Sequence, residues 1–227
     1  MAEPVGSEGL NRLYANRFMP TEGPARDAIW RVLCQDFFQR WIEPRSTVLE
    51  LGAGYCEFIN NIQAAAKIAV DLNPEIKHRA DPDVRAIITS ATDLGELPSR
   101  SVNIVFAANF FEHLSREQIL DTLHEARRVL TPAGRLLVLQ PNIRLCREDY
   151  WMFFDHITPL DERSLGEALT LTGFVTRKTI VRFLPYTTKS HLPASPALVR
   201  AYLRCPPLWR VFGKQSFLMA VPRPQNG

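Results

Sequence analysis

The sequence predicts a doubly wound α/β fold, a seven-stranded and mostly parallel sheet with helices on both faces. Three observations predict it. Short apolar runs alternate with stretches of helical periodicity, the pattern of a parallel sheet covered on both sides. The first run leads into a glycine turn and a helix, Leu51-Gly52-Ala53-Gly54. The second ends near Asp71, 21 positions after Glu50, and doubly wound sheets bind ligands at the carboxyl ends of such strands.

The elements follow in order. Residues 1–45 read as an N-terminal helical lid, with Ile29, Val32, Leu33, Phe37 and Trp41 at helical spacing before Pro44. Residues 46–184 read as the ligand-binding core. Within it, 47–51 is a buried strand and 57–66 a helix. Residues 68–72 form a second strand, closed by Asn73-Pro74, with 84–89 and 102–108 as the third and fourth. Ser115-Arg116-Glu117-Gln118 is a capping box. It opens a helix whose face is Ile119, Leu120, Leu123, Ala126 and Leu130, and Thr131-Pro132-Ala133-Gly134 stops it. A fifth strand spans 135–140. Asp161 opens a helix that stops at Gly173. The last two strands, 174–184 and 216–221, are expected to pair antiparallel across a basic helical insertion at 185–215, which Pro206-Pro207 breaks. The whole reads as a single domain, 1–227.

The composition is globular, with 46% hydrophobic and 22% charged residues in 227. No apolar run approaches the ~18 residues of a membrane span, and the N-terminus has neither the basic nor the apolar region of a signal peptide. Cys34, Cys56, Cys146 and Cys205 are scattered. That pattern speaks against a disulfide framework and for a reducing cytoplasm, and no metal site is expected. The net charge of +3 hides an asymmetry: residues 168–227 hold nine basic side chains and no acidic one, while the first 167 hold 18 basic against 24 acidic. Such a tail suits an anionic partner, or is a solvated face.

Glycines at 52 and 54 let the backbone approach a ligand closely. An acid at 71 is suited to accept both ribose hydroxyls of an adenosine. Dinucleotides ask for G-x-G-x-x-G, but the third glycine position is Glu57, whose charge would face a pyrophosphate. The remaining adenosine cofactor of this layout is S-adenosylmethionine.

Four segments carry a family resemblance: Glu50-Leu51-Gly52-Ala53-Gly54, Ala69-Val70-Asp71-Leu72-Asn73-Pro74, the run from Phe106 through Asn109-Phe110-Phe111-Glu112-His113 to Leu114, and the run from Ala126 to Leu136. In this order and spacing the chain resembles the class I methyltransferases, over roughly 46–175. The resemblance implies a Rossmann-like fold and S-adenosylmethionine as cofactor, with S-adenosylhomocysteine as product. It implies that Glu50, Gly52, Ala53 and Gly54 meet the methionine moiety, that Asp71 holds the ribose, and that Leu72, Ser90 and Ala91 meet the adenine. Asn109 and Phe110 would lie beside the sulfonium, and Arg17, in the lid, is a candidate for the cofactor carboxylate. Cys56 stands where the family often has a third glycine, and Ser90 where it often has Asp.

A base is needed only if the acceptor is a hydroxyl or a protonated amine. His156 is the first candidate, since histidine titrates near neutrality. Asp155 is expected to orient it or to act itself. His113 is the other candidate, against a structural role for its Glu112-His113 segment. Tyr150, Trp151, Phe153 and Phe154 are candidates to wall an acceptor pocket. The loop at Asn109 differs from the Asn-Pro-Pro-Tyr loop of DNA and glutamine amino-methylating enzymes, and no basic groove with interleaved aromatics points to nucleic acid. The segments around Asp155-His156 and 182–190 resemble stand-alone methyltransferases of glycan assembly. They imply a sugar hydroxyl as acceptor, on a phosphorylated carrier or on a small molecule. An amine or lipid-like acceptor, and a non-catalytic cofactor-binding protein, stay open. The basic 196–213 stretch suits peripheral contact with an anionic membrane, a phosphorylated substrate, or a plain helical cap.

Overall fold

The computed structural model describes residues 23–186 and 195–224. Residues 1–22 of the expected lid, Arg17 among them, lie outside the described residues, as do 187–194. Helix α1 (Gly23–Asp36) and a 3-10 turn (Phe38–Trp41) lead into β1 (Thr47–Leu51), α2 (Glu57–Asn61), β2 (Ala66–Asp71), α3 (Ile76–Arg79) and β3 (Val84–Ile88). Then come β4 (Val102–Ala108), α4 (Arg116–Val129), β5 (Leu130–Pro141), α5 (Ile143–Cys146), α6 (Glu162–Leu171) and β6 (Phe174–Ile180). Helices α7 (Pro196–Leu203) and α8 (Pro206–Phe212) precede β7 (Gln215–Pro222).

The sheet has seven strands in the order β3-β2-β1-β4-β5-β7-β6. β1 pairs in parallel with both β2 and β4, and only β7 runs antiparallel, to β5 and β6. This is the expected architecture. Side chains on successive strand residues alternate between two buried layers. In β4, Val105 and Ala107 face one core with Ile119, Leu123 and Ala126 of α4, while Ile104 and Phe106 face the other with Val32 and Leu33 of α1. Both faces of the central strands are thus apolar, as burial on two sides requires. The second core is aromatic: Phe58 stacks on Phe106 at 3.6 Å, and Phe37 on Phe183 at 4.1 Å.

Three boundaries differ from the sequence expectation by four residues or more. Helix α2 ends at Asn61, because Ile62 turns extended and the next strand already begins at Ala66. Strand β5 begins at Leu130, which pairs with Val102, so Thr131-Pro132-Ala133-Gly134 is an irregular stretch of strand rather than a loop. β6 ends at Ile180, short of 184. The capping box at Ser115 forms as expected.

The C-terminal insertion closes over the aromatic core. Val199, Tyr202 and Trp209 pack inward, the Tyr202 hydroxyl donates to the Phe183 carbonyl at 2.6 Å, and Arg200 pairs with Asp36 at 2.9 Å. Lys214 pairs with Asp149 at 2.7 Å. Part of the basic tail is therefore neutralised within the fold. Leu198, Leu208, Val211 and Phe212 stay exposed. No helix among the described residues is long and apolar enough to cross a membrane.

Helix α6 hangs on its cap. The Asp161 carboxylate accepts from the Arg163 and Ser164 backbone N–H groups at 3.0 and 2.8 Å and meets Arg144 at 2.8 Å. Asp161→Ala is expected to lower unfolding free energy by about 1–2 kcal/mol, read as an earlier urea midpoint with an unchanged slope.

Candidate active site

Strand order reverses between β1 and β4, and the segments after these strands leave to opposite faces. A crevice opens there at the strand carboxyl ends. It holds a cavity of about 230 Å³, lined among others by Glu50, Gly52, Ala53, Gly54, Asn109, Glu112, His113 and His156.

The turn after β1 takes left-handed backbone at Gly52 (φ 63°) and Gly54 (φ 50°). A Cβ on Gly52 would come within 2.2 Å of the Phe110 ring. Cys56 also adopts φ 60°, so the position where glycine is frequent does need positive φ, and this chain carries the strain on a small side chain. Its thiol is buried, and desolvation holds its pKa far above the ordinary thiol value, so it is a packed group and not a nucleophile.

Asp71 ends β2. Its Oδ2 accepts the Gly54 N–H at 2.8 Å and its Oδ1 accepts the Asn73 N–H at 2.8 Å. The acid and the glycine turn, 17 residues apart, are therefore in direct contact. Burial raises the Asp71 carboxyl above the usual range, and the N–H groups of Asn73, Gly54 and Leu72 oppose that. Leu72 beside it is 51% exposed, an apolar surface open to a ligand. Glu50 is buried, and its Oε2 accepts the Ile59 N–H at 3.0 Å, capping α2 from beneath. Burial pushes the Glu50 carboxyl well above the carboxylate range, and Glu57 and Asp71 add to the shift against the Ile59 hydrogen bond.

Asn109 follows β4 with φ 48°, its N–H donating to the Leu139 carbonyl at 2.8 Å. A 3-10 turn (Phe111–His113) brings Glu112 and His113 to the cavity. The Glu112 carbonyl accepts the N–H groups of Ile157 and Thr158, which fastens the His156 segment alongside. The His113 and His156 rings lie 4.9 Å apart.

The Asp155 carboxylate meets His113 Nδ1 at 3.2 Å, so it bears on the imidazole that is distant in sequence. Of the four aromatics expected to wall an acceptor pocket, Phe153 alone lines the cavity. Tyr150 is core, its hydroxyl donating to the Thr158 carbonyl at 2.6 Å and accepting the Leu160 N–H, while Trp151 and Phe154 face solvent. Leu72, Ser90, Ala91 and Phe110 do not line the cavity; Ser90 hydrogen-bonds Thr92 at 2.7 Å and Ala91 is buried. Arg26, Trp30, Tyr55, Tyr186 and Gln215 line it unforeseen. Arg26 pairs with Glu57 and lies over the Tyr55 ring, a link across 31 residues that no local pattern announces.

Residues 49–138 match the family model for a methyltransferase domain. That stretch is a methyltransferase domain. Solved structures share the fold of the whole described chain. One is a SAM-dependent methyltransferase from Archaeoglobus fulgidus, 17% identical, covering 88% of this chain and 97% of its own, with a TM-score of 0.65. Another is a chain from the complex between the Haloferax volcanii Trm112 methyltransferase activator and a methyltransferase, 16% identical, covering 93% and 98%, TM-score 0.67. A third is the geranyl diphosphate C-methyltransferase of Streptomyces coelicolor, solved with Mg2+, geranyl diphosphate and S-adenosylhomocysteine. It is 15% identical, covering 86% and 76%, TM-score 0.55. No curated protein matches the sequence.

Two outcomes follow from this geometry. Gly52→Ala is expected to weaken S-adenosylhomocysteine binding at least ~10-fold, since it adds ~1–2 kcal/mol of backbone strain and a ring clash. Phe110→Ala in the same chain should recover only part of the loss by calorimetry. For Glu50, a folded pKa above the unfolded value of about 4.3 means no penalty below that pH and a growing one as pH rises toward the folded value. Glu50→Gln keeps an acceptor for Ile59, so it should raise the melting temperature at pH 7 and leave it unchanged at pH 4. Equal shifts at both would show an ordinary carboxyl.

Proposed function

We propose that this chain is an S-adenosylmethionine-dependent methyltransferase that acts on a hydroxyl oxygen of a small polar acceptor, with a sugar, free or on a phosphorylated carrier, as the first class to test. The observation that carries this reading is that one cavity is lined both by the glycine turn and by Glu112, His113 and His156. When bound, S-adenosylmethionine supplies an electrophilic methyl group. A neutral amine or a carbanion would need no proton-handling group beside that methyl, whereas a hydroxyl does.

Asp71 is the group to hold the ribose hydroxyls, with Leu72 against the adenine and Gly52, Ala53 and Gly54 beneath the methionine moiety. Support comes from the Gly54 N–H bond, which keeps the Asp71 carboxylate at the turn, and from the exposed face of Leu72. Ser90 and Ala91 follow β3 at the same end of the sheet, Asn109 lines the cavity after β4, and the Phe110 ring packs against Gly52. Activation of the acceptor hydroxyl falls to the cluster of His113, His156 and Glu112, with Asp155 orienting His113. The residual positive charge of the C-terminal insertion favours an anionic acceptor. Its exposed Leu198, Leu208, Val211 and Phe212 suit a carrier lodged at a membrane surface.

The test is methyl transfer from methyl-labelled S-adenosylmethionine to sugars, carrier-linked sugars in anionic vesicles, and amines, with wild type and Asp71→Ala side by side. Label is expected on oxygen. The variant should need ~10–100-fold more cofactor, the worth of a hydrogen-bonded charge of about 1.5–3 kcal/mol. Label on nitrogen alone would overturn the hydroxyl reading, and an unchanged cofactor requirement would overturn the role of Asp71.

A further inference from the structure

We propose that Glu112, His113 and His156 form a binding site for a divalent first-row transition cation. One ligand atom from each of the three lies within 4.8 Å of the others. Three atoms so spaced share a centre about 2.8 Å or less from each, against ~2.0–2.2 Å in bound nitrogen and oxygen sites, so side-chain shifts of about 0.7 Å close the site. Such shifts lie within one rotamer well. Glu112 is 1% exposed and His156 6% exposed, so the three donors converge in a desolvated place, at the wall of the cavity that the glycine turn also lines.

The second observation is Asp155. A carboxylate at His113 Nδ1, 3.2 Å away, fixes the proton on that nitrogen and turns the other one outward as a lone pair. This carboxylate–histidine arrangement is what orients and strengthens metal-ligating imidazoles. The backbone holds the ligands in register as well. The Glu112 carbonyl takes the Ile157 and Thr158 N–H groups, and the Thr158 hydroxyl donates to the Leu114 carbonyl, so the two segments, 44 residues apart, move as one piece. Ligands held this way pay little ordering entropy when the ion arrives.

Two imidazoles and one carboxylate select the cation. Imidazole suits zinc, iron, cobalt or nickel, whereas magnesium prefers all-oxygen sites. Three protein ligands leave positions open on the cavity side, as in sites that bind a substrate oxygen. A cation there draws an acceptor hydroxyl into the cavity and lowers its pKa, so its proton can pass to water without an imidazole serving as base. This catalytic sense rests on the hydroxyl reading above; the binding site itself does not.

The test is titration of Co2+ into the metal-stripped full chain, followed by visible absorption, with S-adenosylhomocysteine affinity measured separately by calorimetry. One equivalent is expected to bind, with Zn2+ displacing it and equal Mg2+ not. Glu112→Gln and His156→Ala should each weaken binding at least 10-fold, and Asp155→Asn about 10–100-fold, with circular dichroism and S-adenosylhomocysteine affinity unchanged. If His156→Ala fails to fold, His113→Gln takes its place. No cobalt spectrum in wild type, or equal affinity in the folded variants, overturns the site while cofactor binding stands. Absent cofactor binding would instead strike the methyl-transfer reading and leave the cobalt result intact.

Discussion

β1 and β4 are neighbours, but the helices that follow them, α2 and α4, bury their apolar sides in different cores. The two connections must diverge, and no backbone fills the space between them at the strand ends. Each feature of the cavity follows from that divergence. The glycine turn comes from the β1 side, Asn109, Glu112 and His113 from the β4 side, and neither connection alone could form a pocket. The apolar β4 run supplies the rigidity: with both faces buried, it fixes where His113 starts. Loops can carry chemistry when the elements beneath them cannot shift.

The site also shows how polar groups are held at the carboxyl ends of buried strands. Asp71 and Glu50 are carboxyl groups with little access to water, Asp71 answered by two backbone N–H groups and Glu50 by one. Backbone donors leave a carboxylate with spare lone pairs and no bulky counter-ion in the way. Asp71 keeps that capacity next to the exposed Leu72. Glu50 spends its own on α2, so its first role is to anchor the helix that the turn leads into.

What was legible in the sequence was local. β1 and β4 read with their observed bounds because each is a continuous apolar run ended by a turn. The capping residues Ser115 and Asp161 read because a cap is a matter of a few neighbouring residues. Glycines 52 and 54 read for the same reason. The strand start at Leu130 did not read, because Leu130 satisfies helical and strand periodicity alike and only its pairing with Val102 decides. The contact of Asp155 with His113 did not read either: it joins segments 42 residues apart, and sequence proximity favoured the adjacent His156. Arg26, Tyr186 and Gln215 reach the cavity from three distant parts of the chain, and nothing in their surroundings marks them. The convergence of Glu112, His113 and His156 has the same origin, since no His or Cys spacing in the chain resembles a ligand motif.

Helix α1 is tied at both ends. Near its start Arg26 grips Glu57 at the cavity rim, and at its finish Asp36 grips Arg200 of the insertion. Fourteen helical residues span about 20 Å, and a helix of that length resists bending. It therefore works as a stiff link between the cavity rim and the insertion. A stiff rod anchored at both tips holds the rim and the insertion at a fixed spacing, so the mouth of the pocket inherits the rigidity of the tail's packing.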